Sequence, residues 1–200
     1  VTPLRTVSLG GVGLALLSAI LIAAFALRHE VARGPALRGT PLDPPKTARD
    51  FVLTGPAGRP AHVVDRAYAL TFLFFGYTHC PDECPLAMAS LGRAYRSLTR
   101  AQALRTRVVF VTVDPRRDTP PVLAHYVMKF EPRFVGLTGS PTKLAAVWRA
   151  YGVSVDARSR EIGHGDNIFA IDGRGRIVLV YPPDAPAGDL AADAASLTRR

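Results

Sequence analysis

Runs of Lys or Arg interleaved with aromatic residues are absent, although 25 Lys and Arg against 16 Asp and Glu give a formal charge of +9. The positive charge is scattered as single arginines and no nucleic-acid motif is present, which argues against a nucleic-acid partner. It reads as a solvated surface that would also suit anionic lipid headgroups or an acidic partner. Internal repeats are missing as well, and 200 residues favour one domain of ordinary size. Charge is missing altogether from Val7 to Leu27. At about 1.5 Å per residue such a helix reaches roughly 30 Å, the thickness of bilayer hydrocarbon. A buried soluble helix is rarely this long and this apolar. The competing reading is a cleaved signal, because Ala24-Phe25-Ala26 fits a cleavage site, but signal cores run only about 7–15 residues. Cysteine is scarce: Cys80 and Cys84 are the only two.

What is present is organised around those thiols. Residues 1–6 form a short tail, 7–27 the expected membrane anchor or uncleaved signal, and 28–49 a flexible linker rich in Gly and Pro. Residues 50–200 alternate between strand and helix patterns. Strands are expected at Phe51–Leu53, His62–Val64, Ala69–Phe75, Arg107–Val113, Phe134–Leu137, Val153–Val155, Ile168–Ile171 and Ile177–Tyr181. Helices are expected at Leu86–Leu98, at Thr119–Phe130 with Asp118 or Thr119 as cap, from Ser140-Pro141 to about Tyr151, and from about Asp189 to Leu197. The last two strands are joined by Asp172-Gly-Arg-Gly175 as a hairpin turn. This order implies an α/β layered domain with a mixed sheet.

The cysteines stand in Gly76-Tyr-Thr-His-Cys-Pro-Asp-Glu-Cys-Pro85, after an apolar strand and before a helix. A helix N-terminus favours a thiolate, and positions i and i+4 of a helix share a face, so both sulfurs could meet one ion. A structural disulfide or two inert buried thiols remain the plain alternatives. His164 lies between glycines in an expected loop and, taken alone, reads as a solvated turn histidine before it reads as a ligand. His79 adjoins Cys80, but neighbouring side chains diverge, so a hydrogen bond to backbone or solvent is expected there in place of ligation. His29, His62 and His125 have no partner spacing, and Trp148 and Tyr151 read as core.

The cysteine motif resembles the signature of the Sco/SenC family, thioredoxin-fold factors that deliver copper to cytochrome c oxidase. Val111-Thr-Val-Asp-Pro-Arg-Arg-Asp-Thr-Pro120, Trp148-Arg-Ala-Tyr-Gly-Val153 and Ile162-Gly-His-Gly-Asp-Asn167 resemble further stretches of that family in order and spacing. The resemblance implies a thioredoxin-like copper-binding domain over 50–200, with Cys80, Cys84 and His164 as copper ligands and Asp114 near the site for partner docking. Gly165 departs from the family's small hydroxyl residue after the ligand histidine.

Two thiolates and an imidazole suit Cu(I), with Cu(II) also accepted by the imidazole, whereas a structural zinc site takes four ligands. The implied function is a membrane-anchored copper chaperone. Its implied partner is the copper-bearing subunit of cytochrome c oxidase, with other copper chaperones or thioredoxin-like reductants as further partners. The alternatives are a thiol–disulfide oxidoreductase working through Cys80 and Cys84, or a redox or copper sensor. A peroxidase is disfavoured because no Pro-x-x-x-Thr/Ser-x-x-Cys pattern precedes Cys80. The resemblance places the domain outside the cytoplasm, on a single-pass inner-membrane anchor. The positive-inside rule, with Arg5 before the span and Arg28, Arg33 and Arg38 after it, points the other way.

Overall fold

The computed structural model describes residues 18–23, 25, 36–155, 162–163 and 167–199. It divides into two units, 1–36 and 37–200. In the first, residues 18–23 and 25 are helical, with Ile20, Leu21, Ile22 and Phe25 exposed. The expected span over 7–27 lies largely outside the described residues, among which no helix is long and apolar enough to cross a membrane.

The second unit is built on a six-stranded mixed sheet. Its strands are β1 (Thr40–Thr47), β4 (Leu70–Gly76), β5 (Thr106–Thr112), β6 (Val135–Leu137), β9 (Ile168–Asp172) and β10 (Arg176–Tyr181), in the order β1-β10-β9-β4-β5-β6. Two small pairs lie apart from it, β2 (Val52–Thr54) with β3 (Pro60–His62), and β7 (Ser154–Val155) with β8 (Ile162–Gly163). The helices are α1 (Glu83–Ser97), α2 (Arg100–Arg105), α3 (Pro120–Met128), α4 (Pro141–Ala150) and α5 (Ala187–Leu197).

Strands β4 and β5 are buried at every position, because both faces of the sheet centre are covered. Side chains alternate between two cores, as the period of two in a strand requires. Phe72, Phe74 and Phe110 pack with Cys84, Met88 and Leu91 of α1, Leu123 and Val127 of α3, and Leu190 of α5. Leu73, Phe75, Val109 and Val111 pack on the opposite side with Leu144 and Val147 of α4 and with Leu53 and Val63.

The pattern predicts linker over 28–49, but residues 40–47 form β1, an edge strand antiparallel to β10. Pro41, Pro44 and Pro45 hide it from a pattern reading; an edge strand tolerates proline because one side of it makes no ladder bonds. Pairing is indeed broken between Pro41 and Lys46. Helix α2 is also absent from the sequence expectations, although Thr99 and Gln102 form a capping box at its start.

Candidate metal centre at the C-terminal end of the central strands

Strands β4 and β5 run parallel, in register from Leu70 opposite Thr106 to Gly76 opposite Thr112. Their carboxyl ends therefore open side by side, the place where α/β sheets gather functional groups. A Cβ on Gly76 would lie 2.8 Å from Cys84 Sγ and 2.8 Å from Phe110 Cε2. No side chain fits there, so glycine lets the returning helix seat its sulfur directly on the strand end.

The loop between β4 and α1 is held from inside. The Cys80 amide donates to the Tyr77 carbonyl at 3.2 Å, and the Leu86 amide to the Asp82 carbonyl at 3.2 Å. Asp82 occupies the N-cap position of α1 without a side-chain cap bond. The Cys84 amide, one of the orphan donors of the first turn, donates to Cys80 Sγ at 3.4 Å. Cys80 thus stands just before the helix, half-buried and accepting a hydrogen bond. Cys84 lies inside the first turn, 1% exposed. Burial pushes the Cys84 thiol well up, a backbone contact with Tyr77 opposes this, and the neighbouring Cys80 adds to it. Both cysteines are free thiols.

Asp118 is the residue that sequence reasoning assigned to a different task. Of the two residues expected as cap, Thr119 is the N-cap residue of α3, without a side-chain cap bond, and Asp118 is not. The Asp118 carboxylate is fully buried and turns to the cysteine loop. It accepts from the Thr78 amide at 3.1 Å, the Thr78 hydroxyl at 2.6 Å and the Thr112 hydroxyl at 2.6 Å. The Thr78 hydroxyl has one hydrogen and gives it to Asp118. The 3.0 Å contact between Thr78 Oγ1 and His79 Nδ1 is therefore donated by the imidazole. The partner expected for His79 is backbone or solvent; the structure instead gives it the Thr78 side chain.

Asp114 follows β5. Its side chain pairs with Arg117, and its amide donates to Thr112 Oγ1 at 2.8 Å. From the opposite side of the sheet, Trp148 Nε1 donates to the Thr112 carbonyl at 3.2 Å. Tyr151 is core, as expected. His62 is exposed, in line with its reading as a surface residue, and pairs through Nδ1 with Asp50 Oδ2 at 2.5 Å.

His164 lies outside the described residues, and among those residues no three of His, Cys, Asp or Glu gather in a metal-holding group. The strand that follows it is informative. Strand β9 runs antiparallel to β4, with Phe169 opposite Leu73 and Asp172 opposite Leu70. The chain thus enters β9 at the end of the sheet from which the cysteine loop leaves.

Comparison with known proteins extends these observations. A family model described as SCO1/SenC matches residues 39–199. The bovine (Bos taurus) mitochondrial SCO2 homolog is 37% identical over 134 residues, which is 66% of this chain and 49% of the relative. The chain spans about half the length of the bovine, mouse and human SCO2 homologs it matches. Among solved structures, apo Sco1 from Thermus thermophilus superposes with a TM-score of 0.71 at 36% identity, covering 83% of this chain and 99% of that one. Copper-bound ScoI from Arabidopsis thaliana gives 0.68 at 28% identity, covering 76% and 98%. The mixed α/β architecture is the thioredoxin-like Sco fold.

Proposed function

This chain belongs to the SCO1/SenC family, and on that premise we propose that it is a copper chaperone that carries its ion on Cys80, Cys84 and His164. The observation that carries this reading is the pair of free thiols at the end of β4, one accepting a helix amide and one buried beneath it. A buried thiolate is costly unless a soft cation neutralises it, and thiolates select Cu(I). Zinc at a structural site would take four ligands, and the proposed set has three. A three-ligand set leaves the ion accessible to an acceptor. His164 is the proposed third ligand because β9, which follows it, starts at the cysteine end of the sheet.

In this reading residues 7–27 anchor the chain in the inner membrane, residues 28–39 tether it, and the domain works in the periplasm or an equivalent space. The acceptor is the copper-bearing subunit of cytochrome c oxidase. Asp114, ion-paired with Arg117 beside the loop, would dock it by exchanging that partner. Copper loading requires both thiols reduced, so a Cys80–Cys84 disulfide excludes the ion.

One observation favours a second reading, thiol–disulfide exchange: Cys80 is the more accessible thiol at a helix N-terminus and Cys84 the buried one. The Cys80 thiolate would attack an acceptor disulfide, releasing one acceptor thiolate and forming a mixed disulfide. Cys84, giving up its proton, would then attack Cys80 Sγ and release the second acceptor thiolate. The acceptor is reduced by two electrons and this chain is left as the Cys80–Cys84 disulfide. The two readings separate when the copper-loaded chain is mixed with a reduced acceptor domain. Copper should move to the acceptor while Cys80 and Cys84 stay reduced. No transfer, together with reduction of an oxidised acceptor by the copper-free chain, would favour the oxidoreductase.

A further inference from the structure

The end of the domain opposite the cysteines concentrates positive charge. Helix α1 starts at the carboxyl end of β4 and runs back, so its last turn, α2 and the start of β5 lie at the other end of the sheet. Helix α3 makes the same return before β6, which is parallel to β5. The two returns meet. Arg96 donates to the Phe130 carbonyl, and a Cβ on Gly92 would lie 2.9 Å from that oxygen. The Tyr95 ring packs on Phe134, with centroids 5.7 Å apart, and its hydroxyl donates to the Ala103 carbonyl of α2 at 2.9 Å. Residues 93–105 and 128–134 are thereby joined. They carry Arg93, Arg96, Arg100, Arg105, Lys129 and Arg133, all exposed, against a single acid, the partly buried Glu131. Among the described residues, none of these cations is ion-paired with a carboxylate. Two large apolar side chains stand in the same stretches, Leu104 at 58% and Met128 at 51% exposed.

We propose that this basic end is a docking surface for the anionic headgroups of a lipid bilayer. Unpaired Arg and Lys side chains are drawn to a negatively charged membrane surface, and apolar side chains among them enter the boundary between headgroup and acyl chain. The exposed apolar pair favours lipid over an acidic protein, because both side chains gain an apolar environment beside the charges. The consequence for the site is orientation. The cysteine loop leaves the opposite end of the sheet, so a domain seated this way turns Cys80 away from the bilayer and leaves it open to a partner. Strand β1 begins at the cysteine end, with Thr40 opposite Val180. A chain as long as residues 28–37 extends up to about 35 Å, farther than the roughly 27 Å of a strand the length of β1. An anchor at 7–27 is therefore compatible with this seating. The inference goes beyond the copper-carrier reading and does not rest on it.

Two lysines supply the test. Lys129 belongs to the basic end, whereas Lys143, in the first turn of α4 after β6, is exposed at the cysteine end. The full chain is placed in nanodiscs of phosphatidylcholine alone or of phosphatidylcholine mixed with phosphatidylglycerol. It is then pulse-labelled with an amine-acetylating reagent and read by mass spectrometry. On the anionic discs Lys129 should label at least about five-fold more slowly than on the neutral ones, while Lys143 keeps its rate. About 1 M salt should restore the Lys129 rate, and so should Arg100→Gln combined with Arg133→Gln. Equal labelling of Lys129 on both discs would overturn the proposal and leave an acidic protein as the partner that this charge fits. Equal slowing of Lys129 and Lys143, or slowing that survives high salt, would overturn it too, because attachment of the chain alone would then explain the protection.

Discussion

Asp118 and Gly76 decide where the sulfurs sit. Asp118 is a fully buried carboxylate that collects donors from the loop after β4 and from the end of β5. Asp118→Ala would strand the Thr78 amide and two hydroxyls, and should cost about 3 kcal/mol in urea unfolding, with weaker copper binding. Retention of wild-type stability would show that water replaces the carboxylate. Gly76→Ala should cost about 1–3 kcal/mol by overpacking, because its Cβ meets Cys84 Sγ and Phe110. It should weaken copper binding through Cys84 without touching Cys80, and unchanged affinity would separate the strand end from the site. The cysteines were legible because they are rare and sit between a strand and a helix pattern. Asp118 was not, because Thr78 lies 40 positions away in sequence and no local pattern distinguishes a cap from a long-range acceptor.

At the scale of elements, the long buried strands and the longer helices follow from apolar periodicity, whereas β1 depends on tertiary contacts that no local pattern contains. The strand is fastened at its start by Asp193 of α5. That carboxylate accepts the Arg38 amide at 2.9 Å, the Gly39 amide at 2.9 Å and the Tyr181 hydroxyl at 2.7 Å. Gly39 is required there, since a Cβ would lie 2.5 Å from the Tyr181 ring. Asp193→Ala should speed amide hydrogen exchange over residues 38–47, and unchanged exchange would mean that the β10 ladder alone holds the strand. The same cluster gives a pH dependence. Tyr181 is raised first by burial and then by its bond to Asp193. Tyr126 and Tyr151 are raised by burial as well. A raised acid binds its proton more tightly when folded, so its contribution is complete below the unfolded tyrosine value of about 10 and is lost as pH rises above it. Urea midpoints should hold up to about pH 10 and fall beyond it, and Tyr181→Phe should flatten that fall. A midpoint independent of pH in that range would contradict the assignment.

At the scale of the whole domain, the mixed sheet does two things for the site. Parallel β4 and β5 bring the cysteine loop and the Asp114 turn to one end, and antiparallel β9 starts at that same end. Alternation of strand and helix patterns made the layered architecture legible in the sequence. Beyond the β9–β10 hairpin the strand order was not, because β9 pairs with β4, and β1 with β10, through contacts distant in the chain. Of the arginines in the described residues, Arg117 pairs with Asp114 beside the cysteine loop, and Arg176 pairs with Asp172 at the β9–β10 turn. Reversible oxidation of Cys80 and Cys84 to a disulfide should abolish copper binding, and reduction should restore it in full; copper retained by the oxidised chain would refute two-thiolate ligation. The most direct measurement is an anaerobic Cu(I) titration of the reduced chain beside Cys80→Ser, Cys84→Ser and His164→Ala. The account expects one tightly held copper per wild-type chain, lost in either cysteine variant and greatly weakened without the histidine. Full affinity in Cys80→Ser, or equal binding with and without His164, would contradict it.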